Sequence, residues 1–483
     1  MGLLGILLAL LLLMWLAFRG WSVLLLAPAA ALVAAAAAGE PLLAHWTQTF
    51  MGSAARFVGQ FFPLFLLGAL FGKLMEDSGS VAAIARFMTD RLGPQRAMLA
   101  VVLAGALVTY GGVSLFVAIF VLVPMAQALF RTAGIPRRLL PAAVALGTMT
   151  FTMSALPGTP AIQNAIPMPF FGTTPFAAPG LGIIASVIML GIGLWWLGRA
   201  GTVARRAGEG YGDPETTPRD VTADEIVRQR ATTAREFDPP EAVHGRPSEE
   251  GPPIALAVLP LIMVIGVNFL MAMIVLPALD TGFLAEDRWG GTSLKAVGGV
   301  WAVAVALALA TLLLVLLNYR RLPALRSSMD AGANASVLPI LNVASLVGFG
   351  AVVAALPAFA LVRDWVLSIE GGPLVSLAIA TNMLAALTGS ASGGLTIALD
   401  ALGETYLQIA REHGIDPGIL HRVAVLSCGT LDSLPHNGAV VTLLAVCGST
   451  HRESYLDLFL VAVIGPVVAL AVVIALGSAF GSF

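Results

Sequence analysis

Gly429-Thr430-Leu431-Asp432-Ser433-Leu434-Pro435-His436-Asn437-Gly438-Ala439-Val440-Val441-Thr442 is a polar, helix-breaking stretch set between apolar helical sequence. Pro435 removes a backbone donor and clashes with the preceding turn. Asn437 and Gly438 suit a non-helical cap, so a new half-helix is expected to start near Ala439. At membrane depth, irregular backbone persists only when buried in protein or lining a cavity. The start of a half-helix offers unpaired N–H groups and a positive dipole end, a setting for a carboxylate. A simple proline kink is the plainer alternative. It does not account for Asp432, Ser433, His436 and Asn437 gathering beside the proline.

The surrounding composition requires lipid as solvent. Of 483 residues, 58% are hydrophobic and only 11% charged, and the mean hydropathy is +0.89. Soluble domains carry about a quarter of their residues as charges. The apolar runs Leu3–Ala17, Leu24–Ala38, Ile254–Pro277 and Val300–Leu317 are of helix length. No alternation of the kind barrel strands need is present. Met1–Ala17 lacks a basic leader and reads as a first transmembrane helix, not a cleaved signal. Cys428 and Cys447 lie in apolar context and suggest neither disulfide nor metal. The net charge of −2 says nothing about partners. The fold class expected is an all-α polytopic membrane protein.

Residues 199–252 are rich in Arg, Glu, Asp, Thr, Pro and Gly and read as a polar cytoplasmic loop. They separate a first membrane repeat, 1–198, from a second, 253–483. Basic residues set the orientation: Arg19, Lys73, Arg86, Arg131, Arg138, Arg205, Arg320 and Arg452 can share the cytoplasmic side. This holds only if Leu99–Phe130 and Pro373–Tyr406 each enter and leave on one side, as re-entrant-type helical hairpins.

The two halves share landmarks in the same order. Tyr110-Gly111-Gly112-Val113, Ala133-Gly134-Ile135-Pro136 and Ala155-Leu156-Pro157-Gly158-Thr159-Pro160-Ala161 precede the loop. Ser392-Gly393-Gly394-Leu395, His413-Gly414-Ile415-Asp416 and Ser433-Leu434-Pro435-His436-Asn437-Gly438-Ala439 follow it. With the orientation inverted between halves, this predicts inverted-topology repeats, each with a hairpin and a Pro-broken helix, as in many secondary transporters.

Candidate site residues come from the breaks and the hairpin tips. In the first break Thr159 can cap, and Pro160 fits a first helical position. The tips, Thr109–Ser114 and Gly389–Gly394, supply permissive glycines and hydroxyls. The substrate-binding set is therefore Gly111, Gly112, Ser114, Pro157, Thr159, Ser390, Ser392, Gly393, Ser433, Pro435, Asn437 and Gly438. Small-residue helix packing is the competing reading of the tips. Asp432 and His436 are ionisable groups at expected membrane depth, where such groups often relay protons. Asp400 ranks lower because it lies beyond a tip. Lys73, Glu76 and Asp77 end a helix and read as interfacial anchors. No Arg stands out at membrane depth to clamp a carboxylate.

Phe71-Gly72-Lys73-Leu74-Met75-Glu76-Asp77-Ser78-Gly79, Gly389-Ser390-Ala391-Ser392-Gly393-Gly394 and Leu434-Pro435-His436-Asn437-Gly438-Ala439-Val440 resemble the gluconate permease (GntP) family, within the ion-transporter superfamily. The resemblance covers essentially the whole membrane portion, and the loop at 199–252 departs from it. It implies proton-coupled uptake of small hydroxy-monocarboxylates such as gluconate, related sugar acids, D-serine or 3-hydroxybutyrate. The alternatives are a sodium-coupled organic-anion carrier, a passive channel or a membrane enzyme. No continuous polar stripe supports a channel. No Gly-x-Ser-x-Gly or His-Glu-x-x-His motif and only six histidines leave an enzyme little to work with. No catalytic residue, cofactor, metal or nucleic-acid partner is expected beyond the coupling proton or Na+. The expected partners are the organic anion, the bilayer and, as an open option, a second copy in a homodimer.

The charge distribution makes a testable statement. A cysteine replacing Arg230 should react with a membrane-impermeant maleimide only after the cytoplasmic face is opened. Labelling from the periplasm of intact cells contradicts the orientation.

Overall fold

The computed structural model describes residues 2–19, 21–212, 251–435 and 437–483, and among these the ordered elements are helices. The loop from 213 to 250 and His436 lie outside the described residues. Among the described residues, seven helices are long and apolar enough to cross a membrane, or up to eight if a pair bent by 104° is one span. The chain is thus an all-α polytopic membrane protein.

In chain order, α1 (Gly2–Phe18) and α2 (Val23–Ala38) precede a long helix, α3 (Leu42–Asp77), and α4 (Ser80–Leu92). A hairpin follows, α5 (Ala97–Tyr110) and α6 (Leu115–Ala133). A broken segment comes next: α7 (Leu140–Thr148), α8 (Phe151–Ser154), α9 (Ile162–Ala165) and α10 (Pro167–Phe171), closed by α11 (Pro179–Arg206). After the loop come α12 (Ile254–Ala278), α13 (Leu294–Asn318), α14 (Leu325–Ala335), α15 (Val337–Ala355) and α16 (Phe359–Leu367). A second hairpin pairs α17 (Pro373–Thr388) with α18 (Ala391–His413). The second break separates α19 (Pro417–Cys428) from α20 (Gly438–Val446), and α21 (His451–Phe480) ends the chain. Helix α11 carries on to Arg206, into the stretch read from sequence as loop. Its last turn holds Arg205 and Arg206, which suit the negative end of the helix dipole.

Lipid-type surfaces and small-residue seams account for the packing. On α13 the exposed side carries Leu309, Leu312 and Leu316, while Ala302, Ala306, Ala310 and Leu314 face inward. Without a hydrophobic drive between helices in lipid, small residues that let backbones approach supply the attraction. A Cβ on Gly147 would lie 2.4 Å from the Val102 carbonyl oxygen, and one on Gly394 would lie 2.3 Å from the Ala385 nitrogen. These contacts hold α5 against α7 and close the second hairpin.

The shared landmarks now have physical causes. Gly134 and Gly414 are left-handed C-caps, at φ 63° and 67°, that end α6 and α18. The isoleucine after each returns its N–H to the helix, to Phe130 O at 2.9 Å and Ala410 O at 2.8 Å. The Gly-Gly pairs are not equivalent. Gly111 and Gly112 form the first tip, with Gly112 at φ 99°. Gly393 and Gly394 lie one turn inside α18, and the second tip is Gly389–Ser390. Gly394 is there for the approach to Ala385, not for a turn.

Gly394→Ala should therefore lower stability by about 1–3 kcal/mol, the usual cost of overpacking. Gly191→Ala, where an added Cβ meets nothing within 4 Å, should leave it unchanged or raise it. Thermal denaturation in detergent compares the two, and equal melting temperatures contradict the close seam.

Candidate functional site

The first hairpin tip, the first turn of α18 and both breaks meet around two adjoining cavities. The larger, about 190 Å³, is lined by the first tip and first turn of α6 (Gly112 to Val117), the first break (Pro160 to Gln163), Ser392 of α18, Ser336, and Lys73 and Glu76 of α3. The smaller, about 20 Å³, is lined by Ser154, Gln163, Ala391, Gly429, Asp432, Asn437 and Ala439. Leu115, Met153 and Gln163 belong to both walls.

Three helices of useful length begin here, each capped by a side chain. Ser114 accepts from Val117 N, and Ser390 from Gly393 N at 3.2 Å. Asn437 Oδ1 accepts from Ala439 N at 2.7 Å and Val440 N at 3.2 Å, the cap expected from sequence. Its amide group also donates to Gly389 O at 2.9 Å, tying the second break to the second tip. The first break departs from expectation. Helix α9 starts at Ile162 with Ala161 as N-cap, so Pro160 precedes the helix instead of opening it. Thr159 Oγ1 accepts from Ala161 N at 3.4 Å.

Of the residues singled out in the sequence, Gly112, Ser114 and Ser392 line the larger cavity, and Asp432 and Asn437 the smaller. The other members of the expected substrate-binding set are not among the lining residues, whereas Pro160, Lys73 and Glu76 are. Gly111 packs on Leu261, where a Cβ would come within 2.3 Å of its Cδ2, and Gly393 packs on Leu346. Pro157, Thr159, Ser433 and Pro435 shape the irregular backbone. Ser390 and Gly438 start helices. His436 falls outside the described residues, and Asp400 is exposed on α18.

Sequence reasoning missed the polar groups that hold the breaks. Tyr110 donates its hydroxyl to Pro157 O at 2.8 Å, and Asn268 its amide to Gly158 O at 2.9 Å. Asn164 Nδ2 serves Thr159 O and Pro175 O at 3.0 and 2.9 Å. Its Oδ1 accepts from His421 Nε2 at 3.1 Å, while His421 Nδ1 lies 2.6 Å from the Thr173 hydroxyl. In the second break, His451 Nε2 donates to Pro435 O at 2.8 Å and Tyr455 to Ser433 O at 3.1 Å. Isolated Asn residues in apolar helices were the available signal, since a lone amide in lipid needs a partner.

Two expectations need correction. Arg422 is fully buried, against the reading that no arginine stands out at depth. It lines neither cavity and donates Nε and Nη2 to Ala177 O at 3.2 and 2.7 Å. Lys73, Glu76 and Asp77 are not surface anchors. Lys73 is 5% exposed and Asp77 fully buried. Lys73 Nζ lies 3.0 Å from Asp77 Oδ1 and 3.4 Å from Glu76 Oε2. Their charge pattern looked interfacial because a helix end was expected to meet water. The tertiary packing of α14 and α15 against α3 covers it instead.

A profile described as the GntP family permease matches residues 1–196. Over 483 residues, 98% of this chain and 98% of the relative, the sequence is 40% identical to the "Uncharacterized transporter YxjC" of Bacillus subtilis (strain 168). Neisseria gonorrhoeae MtrF, described with a class of antimetabolite efflux pumps, is similar in fold, with a TM-score of 0.51 and 14% identity. That likeness covers 91% of this chain and 85% of MtrF. Full-length similarity to a transporter, the family match and the apolar spans together place this chain in the GntP permease family, as a multi-pass bacterial membrane transporter.

Proposed function

We propose that this permease is a proton-coupled symporter for a small hydroxy-monocarboxylate, a gluconate-like sugar acid or 3-hydroxybutyrate. The observation that carries the reading is the convergence of the first tip, the first turn of α18 and both breaks on two adjoining cavities. The first turns of α6 and α18 border the larger cavity, and that of α20 the smaller. Helix starts favour an anion there. Gln163 sits in both walls, 4% exposed, and its Oε1 has no hydrogen-bond partner among the described residues. A substrate hydroxyl is a fitting donor for it. Paired hairpins and broken helices also suit inverted repeats, with alternating access around a fixed central site.

Asp432 is the proposed coupling group, with His436 as partner. It stands in the second break beside the start of α20. An ionised carboxylate away from water is costly and tends to take up a proton. A neutral Asp432 is proposed to let the loaded carrier change face, so that the pH gradient drives accumulation.

Uptake in proteoliposomes tests both parts. Ser392→Ala and Asn437→Ala should weaken uptake while the protein stays in the membrane. The Asn437 change also removes a helix cap worth about 1 kcal/mol. Unchanged uptake in both places the substrate elsewhere. Asp432→Asn mimics the protonated carboxyl. It should abolish accumulation driven by a pH gradient and leave exchange of labelled for unlabelled substrate at least partly intact. Undiminished accumulation rules Asp432 out as coupling group, and accumulation that follows a sodium gradient instead favours the sodium-coupled alternative.

A further inference from the structure

The charged end of α3 belongs to the wall of the larger cavity, and the transport reading above gives it no role. Lys73 and Glu76 line that wall, while Asp77 lies behind it, fully buried. The side chains of Lys73 and Glu76 are 6% and 15% exposed. A Cβ on Gly72 would lie 3.6 Å from Ser114 N, so this end of α3 abuts the start of α6. One ammonium here faces two carboxylates, at 3.0 and 3.4 Å.

Among the described residues, Lys73 and Glu76 are the charged side chains that line the cavity. Arg86, Asp90 and Arg91 of α4 are exposed, Arg86 donating to Ala82 O, and Arg320 and Arg321 just past α13 lie outside the lining. Arg326 and Asp330 of α14 pair with each other in the open, 96% and 69% exposed. Helix α15 has no charged residue. On α6, Arg131 sits at the far end over the Tyr211 ring. On α13, Lys295 lies at the opposite end, beside Gly172. Arg56 of α3 bonds Ser53, several turns away.

With both carboxylates ionised, the triad holds one excess negative charge away from bulk water. Taking up a proton relieves that cost. Asp77 has the closer contact with Lys73, and Glu76 has the access to the cavity. An anion meets a net negative wall while Glu76 is ionised. Once Glu76 is protonated, that excess is gone from the wall and the anion meets the Lys73 ammonium beside a neutral carboxyl.

We propose that Lys73, Glu76 and Asp77 form a proton-linked recognition site for the carboxylate of the transported acid. Lys73 receives the carboxylate, Glu76 takes the proton, and Asp77 holds Lys73 in place. One proton from water adds to a Glu76 oxygen as one anion enters, so the occupied site carries the same net charge as the empty one. Release reverses both steps. This rests on the transport reading and adds a second proton site, distinct from Asp432. Glu76 governs binding, and Asp432 governs accumulation.

Binding to the purified full-length protein separates the two. Calorimetric titration with 3-hydroxybutyrate and with gluconate serves as the probe, over about pH 5.5 to 8.5, a window above the ordinary carboxylate range. For the better-bound acid, the parent affinity should fall toward tenfold per pH unit above the titration point. Glu76→Gln should bind with little pH dependence, within about twofold across the range. Lys73→Gln should lose at least about tenfold in affinity, and Lys73→Arg should recover most of it. Asp432→Asn should keep the parental slope. If Glu76→Gln is not recovered folded, Glu76→Asp should move the midpoint of the slope, and an unmoved midpoint overturns the proposal. A parental slope in Glu76→Gln, or parental affinity in Lys73→Gln, overturns it too. If the slope vanishes in Asp432→Asn instead, the proposal falls and the transport reading stands. If the parent binds neither acid at any pH, the substrate reading fails and this proposal with it.

Discussion

A broken helix in lipid has carbonyl groups that water cannot reach, and this fold is organised around giving each a partner. Every unmet buried acceptor costs about 1–3 kcal/mol, and the bilayer core offers no solvent to soften that. Tyr110 serves Pro157, Asn268 serves Gly158, and Asn164 serves Thr159 and Pro175. Arg422 serves Ala177, His451 serves Pro435, and Tyr455 serves Ser433. The second-half residues Asn268, His421 and Arg422 all hold first-half backbone or its Asn164 anchor. The breaks are thus polar rivets between the halves. They are needed because the helices are interrupted there.

Packing and chemistry draw on the same residues. Gly147 and Gly394 bring backbones close enough that the hairpins and breaks can converge on one small volume. Convergence puts the starts of α6, α18 and α20 around two cavities with a common wall. The same convergence buries the end of α3. That gathers three charges away from water, with the Lys73 ammonium 3.0 Å from Asp77 and 3.4 Å from Glu76.

Much of this architecture was legible in the sequence. The runs Ile254–Pro277 and Val300–Leu317 announced spanning helices, because length and hydropathy are local properties, while Leu3–Ala17 and Leu24–Ala38 form apolar helices shorter than the spans. Asn437 announced the cap of α20, because a cap is decided within a few residues. The Gly-Ile landmarks marked two helix ends for the same reason. Where one motif serves two causes, the sequence misled. Gly-Gly is a turn at 111–112 and a packing seam at 393–394, and only the partner across the seam distinguishes them.

By itself the sequence determined that this chain lives in lipid, where its helices run and where two of them break, since those follow from hydropathy, proline and capping over short range. The tertiary structure alone decided which polar residues meet. Arg422 and Ala177, Asn268 and Gly158, or Glu76 and the tip at Ser114 are far apart in the chain. Whether Lys73 anchors at a surface or lines a cavity likewise depends on what packs over it, and burial is a property of the neighbours that the residue's own sequence context does not contain.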